Sequence, residues 1–448
     1  MTAISVDPAC CLTEPTKASS PQKICAVSEK STALLNDSDI NNIVERKLRS
    51  NNFRVLQWSL DSMGETNGFL GSYYTLAVTV KIGDKSRQLK FFAKTPPPIR
   101  SPQYDFLIRS DTLNKEMIVY SEVMPRMGIG SSSKWLPDFY LGKKSIIIVL
   151  EDATQEGYIM PDKYIAFDED HCILAAKTLS SLHSRSLILD EKLRRSTGQT
   201  MFDVYGHVLE EVAFMKNDLV GNKYLSSCVV GACTMVDLVK GLKNDEATAI
   251  KEWIQSMIPR LPDLLVPSSK FRNVMCHRDV WANNMMFKTD SAGKPIGCYL
   301  VDFQFLRYSP PALDFVICFF LTTDRATRRR LYNRLIDVYY DSMSKELSSE
   351  GLDVEECLPR SQFVESCHEL KEISLTYSIA NMQIMLLNKD AVEEYFIGNC
   401  EKLEEYMYGN KRADLVLDQC RNARTFQSRI TEIIEEIREL LATDTRRR

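Results

Sequence analysis

The sequence predicts an α+β protein with two lobes, in which a small N-terminal lobe built on an antiparallel sheet precedes a larger, mostly helical C-terminal lobe. Three observations predict this class. Strand-like alternation of apolar and polar residues is concentrated in the first 150 residues. Long helical periodicities dominate the remainder of the chain. The length of 448 residues exceeds the usual size of one domain and leaves room for two cores.

The N-terminal end of the chain is predicted to be a disordered tail. Residues 1–38 are rich in Ser, Thr, Pro, Ala and Lys and lack apolar periodicity. We assign residues 39–151 to a nucleotide-binding lobe and residues 152–448 to a catalytic and substrate lobe. The first element expected in the N-terminal lobe is a helical stretch from Asp39 that leads to Phe53.

Two antiparallel strands are predicted next. Residues Thr75 to Lys81 alternate as a half-buried strand does, and Gly83 with the following Asp forms the turn. The second strand runs from Arg87 to Lys94, where three prolines deprive the backbone of hydrogen-bond donors and end the pairing. Lys94 is therefore expected at the end of a strand.

A helix follows, with Asp111 as its expected N-cap. Its apolar stripe contains Leu113 and Tyr120, and Glu116 is the polar member of that stripe. Because an unpaired carboxylate in an apolar environment is costly, Glu116 is expected to have a cationic partner, for which Lys94 is the candidate.

The chain is expected to cross into the second lobe after a buried apolar strand from Ser145 to Leu150, at Glu151. The run from Phe315 to Leu321 is far shorter than the about 20 apolar residues that span a bilayer, so it is interpreted as a core segment. The helical patterns beyond the crossing lie at 170–187, 246–259, 325–345, 361–388 and 424–442.

Charge and cysteine content limit the function classes. A formal net charge of −4 gives no general basic face for nucleic acid. The thirteen cysteines are odd in number and irregularly spaced, and no apolar signal segment precedes them. These features favour reduced thiols and a cytoplasmic location without membrane insertion, and they make nucleic acid an unfavourable partner.

The most informative stretch has the pattern His-x-Asp-x-x-x-x-Asn at His277, Asp279 and Asn284, and a second acid, Asp302, follows a later strand. Phosphoryl transfer needs one carboxylate to accept a hydroxyl proton and hard oxygen ligands to hold Mg²⁺. Asp279 suits the first task, Asn284 and Asp302 suit the second, and His277 would brace the loop. A turn from Asp290 would make the two strands a hairpin that brings the acids together. The alternative is a polar loop whose Asp and Asn make only local turn bonds.

Two further segments point to nucleotide phosphates. Lys94 is placed to reach the α- and β-phosphates with Glu116 holding it. The loop containing Gly68, Gly71 and Ser72 precedes the first strand and suits phosphate binding through backbone amides, although glycines there also suit a simple turn. The sequence of a P-loop occurs nowhere in the chain.

Taken in order, these segments resemble the ecdysteroid kinase-like family, a branch of the choline kinase and aminoglycoside phosphotransferase superfamily. The resemblance covers about residues 40–440. It rests on the segments Gly68–Ser72, Phe91–Lys94, Lys115–Glu116, Val149–Asp152, Leu179–His183, His277–Asn284 and Asp302–Gln304. The chain departs from the family's usual His-Gly-Asp by having Arg278.

The resemblance implies a protein-kinase-like fold with ATP between the lobes and Mg²⁺ as cofactor. It implies Asp279 as catalytic base, Asn284 and Asp302 as Mg²⁺ ligands, Lys94 on the phosphates and a hinge near Glu151 that meets adenine. His183 is expected to be a buried packing residue. Asp314 is expected to cap a helix and support the catalytic loop, with metal ligation as its alternative.

The function expected is transfer of the γ-phosphate of ATP to a hydroxyl of a lipophilic alcohol, such as an ecdysteroid or a xenobiotic. The acceptor pocket is predicted beside Asp279 and lined by Trp281, Phe305 and Tyr308. A choline-type kinase and a non-catalytic ligand-binding protein are the alternatives. A protein kinase is the third, but Gln304 replaces the Gly of its Asp-Phe-Gly motif and no room is left for an activation loop.

Overall fold

The structure is a computed structural model that describes residues 34–64, 71–97, 99, 102–128, 134–215, 218–396 and 400–445. Gly68 and most of the predicted tail lie outside these ranges. The first helix that lies wholly within these ranges, Asp37–Leu48, begins within the last residues assigned to that tail. Asn36 and Asp39 cap its N-terminus reciprocally, each side chain accepting a hydrogen bond from the backbone N–H of the other. The helix ends before the predicted Phe53.

The N-terminal lobe is built on a five-stranded antiparallel sheet with the order β1-β2-β3-β5-β4. The predicted strands 75–81 and 87–94 are present and extend further at both ends, and the predicted strand 145–150 is shifted toward the C-terminus. One strand, β1, was missed. The five strands are β1 (Arg54–Ser62), β2 (Ser72–Ile82), β3 (Lys85–Thr95), β4 (Phe139–Lys143) and β5 (Ile147–Glu151).

One face of this sheet packs against the first helix. Alternate residues of β2, beginning with Leu76 and Val78, are fully buried there. The helix contributes Ile40, Ile43 and Val44, spaced three and four residues apart. This packing gives the N-terminal lobe a hydrophobic core and fixes the position of β3, which carries Lys94.

A helical segment between β3 and β4 covers the other face of the sheet. It comprises Pro102–Ser110, Thr112–Ile118, a π-helical turn Val119–Val123 and Met124–Arg126. Asp111 precedes the second helix in the left-handed region, with φ of 51°, and its side chain makes no capping hydrogen bond. Asp111 is therefore the N-cap residue, as predicted, but its side chain does not cap the helix. The burial of Leu113, Glu116 and Tyr120 agrees with the predicted stripe.

The C-terminal lobe is mostly helical, as predicted. The predicted helix 361–388 is two helices that meet at Leu370, and all residues of Pro311–Thr322 are buried in the core. No helix in the described ranges is long and apolar enough to span a membrane. The helices are Glu169–Thr197, Met201–Leu209, Leu219–Leu238, Asn244–Met257, Leu261–Leu264, Pro311–Thr322, Arg325–Ser349, Val354–Cys357, Arg360–Glu369, Lys371–Met385, Lys389–Phe396, Cys400–Tyr408, Arg412–Asn422 and Arg424–Thr445.

Two small sheets in this lobe hold the motif residues. The predicted hairpin is present as β8 (Met285–Thr289) and β9 (Pro295–Leu300), and β6 (Tyr158–Ile159) pairs with β8. The strand before the motif, β7 (Val274–Cys276), pairs instead with β10 (Arg307–Ser309). Asn284 directly precedes β8 and Asp302 follows β9, so the hairpin brings them to one end, where the N–H of Val301 donates to the carbonyl oxygen of Asn284 at 3.0 Å.

Candidate active site

Lys94 is the centre of a buried polar cluster between the two lobes. Its Nζ atom lies 2.7 Å from Oε2 of Glu116, 2.7 Å from Oδ1 of Asp302 and 3.2 Å from Oε1 of Gln304. The side chains of Lys94 and Glu116 are 3% and 1% exposed. The structure thus contains the predicted Lys94–Glu116 pair and adds two partners from the segment after β9.

Burial lowers the pKa of Lys94, but Asp302 and Glu116 outweigh it, so the pKa is raised and the ammonium group stays charged. The second carboxylate oxygen of Glu116 accepts a hydrogen bond from the N–H of Phe303 at 3.1 Å. Glu116 therefore fixes both the lysine of the sheet and the backbone beside Asp302.

Asp279 lies in the loop between β7 and β8. The side-chain amide of Asn284 donates to the carbonyl oxygen and to Oδ2 of Asp279, each at 2.8 Å. Burial raises the pKa of Asp279, and the neighbouring charge of Arg278 opposes that increase. The arrangement holds one carboxylate in a fixed orientation, with a pKa closer to the range in which a general base works.

Asp314 holds the backbone at the start of this loop. Its two carboxylate oxygens accept hydrogen bonds from the backbone N–H groups of His277 at 2.5 Å and Arg278 at 2.9 Å. It lies inside the first turn of Pro311–Thr322, and Pro310 is the N-cap residue, so the expectation that Asp314 is the cap is corrected. His277 braces the loop from the other side, because its Nε2 bonds to the carbonyl oxygen of Val301 at 2.9 Å.

His183 is fully buried, as expected, with Nδ1 2.7 Å from the Tyr339 hydroxyl and Nε2 3.4 Å from Asp314. Ligand atoms of His183, Cys276 and Asp314 lie within 4.8 Å of one another. Both oxygens of Asp314 already accept backbone hydrogen bonds. This cluster is therefore interpreted as support for the loop.

Asn284 and Asp302 offer the oxygen donors that Mg²⁺ prefers. Asn284 uses its amide nitrogen to hold Asp279, which leaves its amide oxygen without a hydrogen-bond donor among the described residues. Asp302 is 23% exposed, and its backbone is left-handed, with φ of 68°. The donor set fits a hard divalent cation, and Asn is a neutral ligand that limits the charge at the site.

A cavity of about 190 Å³ lies directly against Asp279. Trp281 and Phe305 line it, as predicted, and most of its other walls are apolar. Tyr308 does not line this cavity, contrary to the prediction. Its hydroxyl lies 3.3 Å from Asp190 and its ring stacks on Phe202, because it points to the opposite face of β10 from Arg307.

The remaining predicted residues lie on or beside strands of the N-terminal sheet. Ser72 opens β2 next to Gly71, and Ser72 pairs with Thr95, the residue after Lys94. The side chain of Glu151, at the end of β5, is buried and lies 2.5 Å from Nζ of Lys134. Its carboxylate is therefore already paired, so an adenine contact here would have to come from the backbone.

Sequence reasoning missed Gln304 and Glu211 as site residues. Gln304 bridges Lys94 and Asp302 and stands two residues after the metal-ligand candidate, so its position in the motif was a usable signal. Glu211 accepts a hydrogen bond from Nε of Arg278 at 3.2 Å. No local pattern marked Glu211, because its partner is distant in the sequence.

The chain is similar to several solved structures at low sequence identity and low TM-score. A GDP complex of wild-type aminoglycoside 2'-phosphotransferase-IIIa is 14% identical, with a TM-score of 0.33 and coverage of 90% of this chain and 99% of that chain. A choline/ethanolamine kinase family protein from Mesorhizobium loti is 11% identical, with a TM-score of 0.28 and coverage of 81% and 92%. A microcompartment-associated aminopropanol kinase is 11% identical, with a TM-score of 0.33 and coverage of 80% and 99%.

At the level of sequence, no curated protein gives a significant match. The sequence model of the ecdysteroid kinase-like family matches residues 66–351, which is more than half of the chain. This range includes Lys94, Glu116, the loop with Asp279 and Asn284, and Asp302. The chain therefore belongs to the ecdysteroid kinase-like family.

Proposed function

We propose that the protein is an ATP- and Mg²⁺-dependent kinase that transfers the γ-phosphate to a hydroxyl group of a lipophilic alcohol. One observation carries the proposal. Asp279 borders the apolar cavity, and Asn284 in the same loop holds its carboxylate. The loop leads into β8, which pairs with β9, and β9 leads to Asp302, which contacts Lys94. A base for the hydroxyl and a phosphate-binding cluster therefore meet at one point. Membership of the ecdysteroid kinase-like family supports small-molecule phosphotransfer.

Each residue has a defined task in this reaction. The Lys94 ammonium binds the α- and β-phosphates, and Glu116 fixes its position. Asn284 and Asp302 would hold Mg²⁺, which neutralises charge on the phosphates when bound. Asp279 accepts the proton of the acceptor hydroxyl while the hydroxyl oxygen bonds to the γ-phosphorus, and Asn284 keeps the carboxylate aligned. The bond between the γ-phosphorus and the bridging β–γ oxygen breaks in the same transfer, and ADP is the leaving group.

The acceptor class follows from the cavity. Its walls are mainly side chains such as Phe214, Trp281, Phe305 and Met407, which favour an apolar ligand body. Apart from the carboxylate of Asp279, the charged side chains that line it are Arg109 and Arg278, and both are cations. A neutral alcohol suits this lining better than a choline-type substrate, and ecdysteroids are the candidates that the family name suggests.

The proposal is tested with purified protein, Mg²⁺-ATP and a panel of ecdysteroids, other sterol alcohols, hydrophobic xenobiotic alcohols and choline. We expect alcohol-dependent release of ADP and a phosphate ester detected by mass spectrometry for one of the lipophilic classes. Preferred phosphorylation of choline would overturn the acceptor class. Binding of Mg²⁺-ATP and of lipophilic alcohols without any transfer would instead identify a non-catalytic ligand-binding protein.

A further inference from the structure

Arg278 is enclosed by three aromatic rings in the wall of the cavity. Its guanidinium carbon lies 4.9 Å from the ring centre of Phe214, 5.1 Å from that of Phe305 and 5.4 Å from that of Tyr377. All four residues line the cavity beside Asp279. Several aromatic faces around one cation form the kind of cage that recognises quaternary ammonium groups. Here the cage already contains a cation that belongs to the chain itself.

A carboxylate completes this cage. Oε2 of Glu211 lies 3.2 Å from Nε of Arg278 and 3.4 Å from Nη1 of the buried Arg307. Burial raises the pKa of Glu211, but the charges of Arg278 and Arg307 outweigh it, so the pKa is lowered. Because Arg307 is a second partner, Glu211 would keep an ion pair if Arg278 were replaced. The site would then present three rings and a carboxylate.

The backbone at Arg278 also limits what occupies this position. Its φ is 73°, in the left-handed region that glycine adopts without strain and that is unfavourable for most other residues. An arginine is therefore held there by its side-chain contacts, against the local preference of the backbone. A glycine at position 278 would relax the backbone and empty the cage in one substitution.

One hydrogen-bond donor of Arg278 is left without a partner. Its Nη2 atom is buried and has no hydrogen-bond partner among the described residues. A buried donor without a partner is costly, and because Nη2 is closed off from the cavity, a ligand would reach it only through a shift of the guanidinium group. An alkylammonium group in the cavity would add a like charge beside that group.

We propose that Arg278 determines acceptor specificity by filling the aromatic cage with the chain's own cation. This inference rests on the proposed function, because a preference in binding is a choice of substrate only if the protein is a kinase. The side chain excludes alkylammonium alcohols and favours acceptors that bring a neutral, apolar body to the cavity. Replacing Arg278 by glycine converts the site into one that binds quaternary ammonium groups.

The test compares choline with 3,3-dimethylbutan-1-ol, its neutral analogue of the same shape, by isothermal titration calorimetry without ATP. We expect the wild-type protein to prefer the neutral alcohol. The Arg278→Gly variant should bind choline roughly tenfold or more tighter than the wild type does, because a desolvated cage and Glu211 become available. Arg278→Met, which fills the cage without a charge, should not gain choline binding. Adding Glu211→Gln to Arg278→Gly should reduce the gain.

Wild-type protein that binds choline as tightly as the neutral alcohol would overturn the proposal, whether or not any variant folds. A folded Arg278→Gly variant, with wild-type ATP affinity and no gain in choline binding, would also overturn it. Both measurements detect binding alone. Failure of phosphate transfer to every alcohol would therefore reject the proposed kinase activity without changing the outcome of the choline-binding test.

Discussion

The ammonium nitrogen of Lys94 lies 2.7 Å from a carboxylate oxygen of Asp302, although 208 residues separate the two in the chain. The same nitrogen lies 2.7 Å from Glu116. One lysine thus joins the end of β3, a helix of the N-terminal lobe and the segment after β9. The two acids differ in exposure, since Glu116 is buried and Asp302 is 23% exposed. This difference predicts separate roles for them.

Asp302→Ala is expected to abolish Mg²⁺-dependent nucleotide binding, because it removes an oxygen ligand. Glu116→Gln should give a milder loss of activity, since its amide oxygen can still accept the hydrogen bond from the N–H of Phe303 and the change mainly weakens the hold on Lys94. Asp302→Asn is the control for the left-handed backbone, which Asn tolerates better than Ala. Calorimetry with Mg²⁺-ATP measures the first effect, and an assay of ADP release measures the second. Unchanged Mg²⁺-ATP affinity in Asp302→Ala would rule out the metal assignment.

Asp279→Asn is expected to reduce the rate of phosphate transfer by about 10²- to 10⁴-fold, the usual contribution of a general base. An amide cannot accept the hydroxyl proton, whereas the shape of the side chain is preserved. ATP affinity should change little, because Asp279 is not assigned to the phosphates or the metal. Single-turnover kinetics measure the step directly. A rate near that of the wild type would exclude Asp279 as the base.

The local patterns predicted the elements that carry the motif. Alternation identified β2 and β3 because their alternate residues face a buried core, and the turn from Asp290 identified the β8–β9 hairpin. Strand β1 was missed because only intermediate and exposed residues occur along it, so its alternation is weak. Edge strands of this kind bury too little apolar surface to give a clear signal.

Long-range contacts explain the errors at the site. The face on which Tyr308 lies depends on the pairing of β10 with β7, which the sequence does not reveal. Glu211 and Arg278 meet across 67 residues, and their contact depends on the packing of the helical lobe. Periodicity reports which face of an element is buried, but not which partner covers it. Tertiary contacts therefore had to come from the structure.

Asp314→Ala is expected to destabilise the fold by about 2–5 kcal/mol, because it leaves two buried backbone N–H groups, at His277 and Arg278, without acceptors. Asp314→Asn keeps one oxygen acceptor and should cost less. Urea unfolding of the two variants and the wild type measures the difference. Equal stability of all three proteins would show that water replaces the lost hydrogen bonds.

Phe305→Ala is expected to raise the KM for the alcohol by roughly tenfold or more, since it removes a large apolar wall of the cavity beside Asp279. Tyr308→Phe is the matched control, because Tyr308 faces Asp190 and Phe202 and not the cavity. This variant should keep the wild-type KM and lose only about 1 kcal/mol of stability with the hydroxyl contact. A larger effect on KM in Tyr308→Phe than in Phe305→Ala would contradict the placement of both residues.

Lys115 provides a test of pH dependence away from the phosphate site. Its side chain is 4% exposed, and its Nζ donates to the carbonyl oxygen of Glu210 at 2.7 Å. Burial lowers its pKa from 10.5 to about 8, although Glu211 and Glu210 oppose that decrease. The charged form is therefore less favourable in the folded protein than in the unfolded chain.

Lys115→Met should remove a pH-dependent part of the free energy of unfolding. Below pH 8 the lysine is protonated in both states, and the folded protein carries the full penalty of the buried charge. Between pH 8 and 10.5 the unfolded chain binds the proton more than the folded protein does, so this group makes the wild type more stable as pH rises. The variant lacks the effect, so its stability relative to the wild type should fall across this window by on the order of 3 kcal/mol.

Loss of the contact with Glu210 adds only a pH-independent cost of about 1 kcal/mol. Urea unfolding of both proteins at several pH values from 7 to about 10 measures the difference, and a difference that stays constant with pH would show that Lys115 has no lowered pKa.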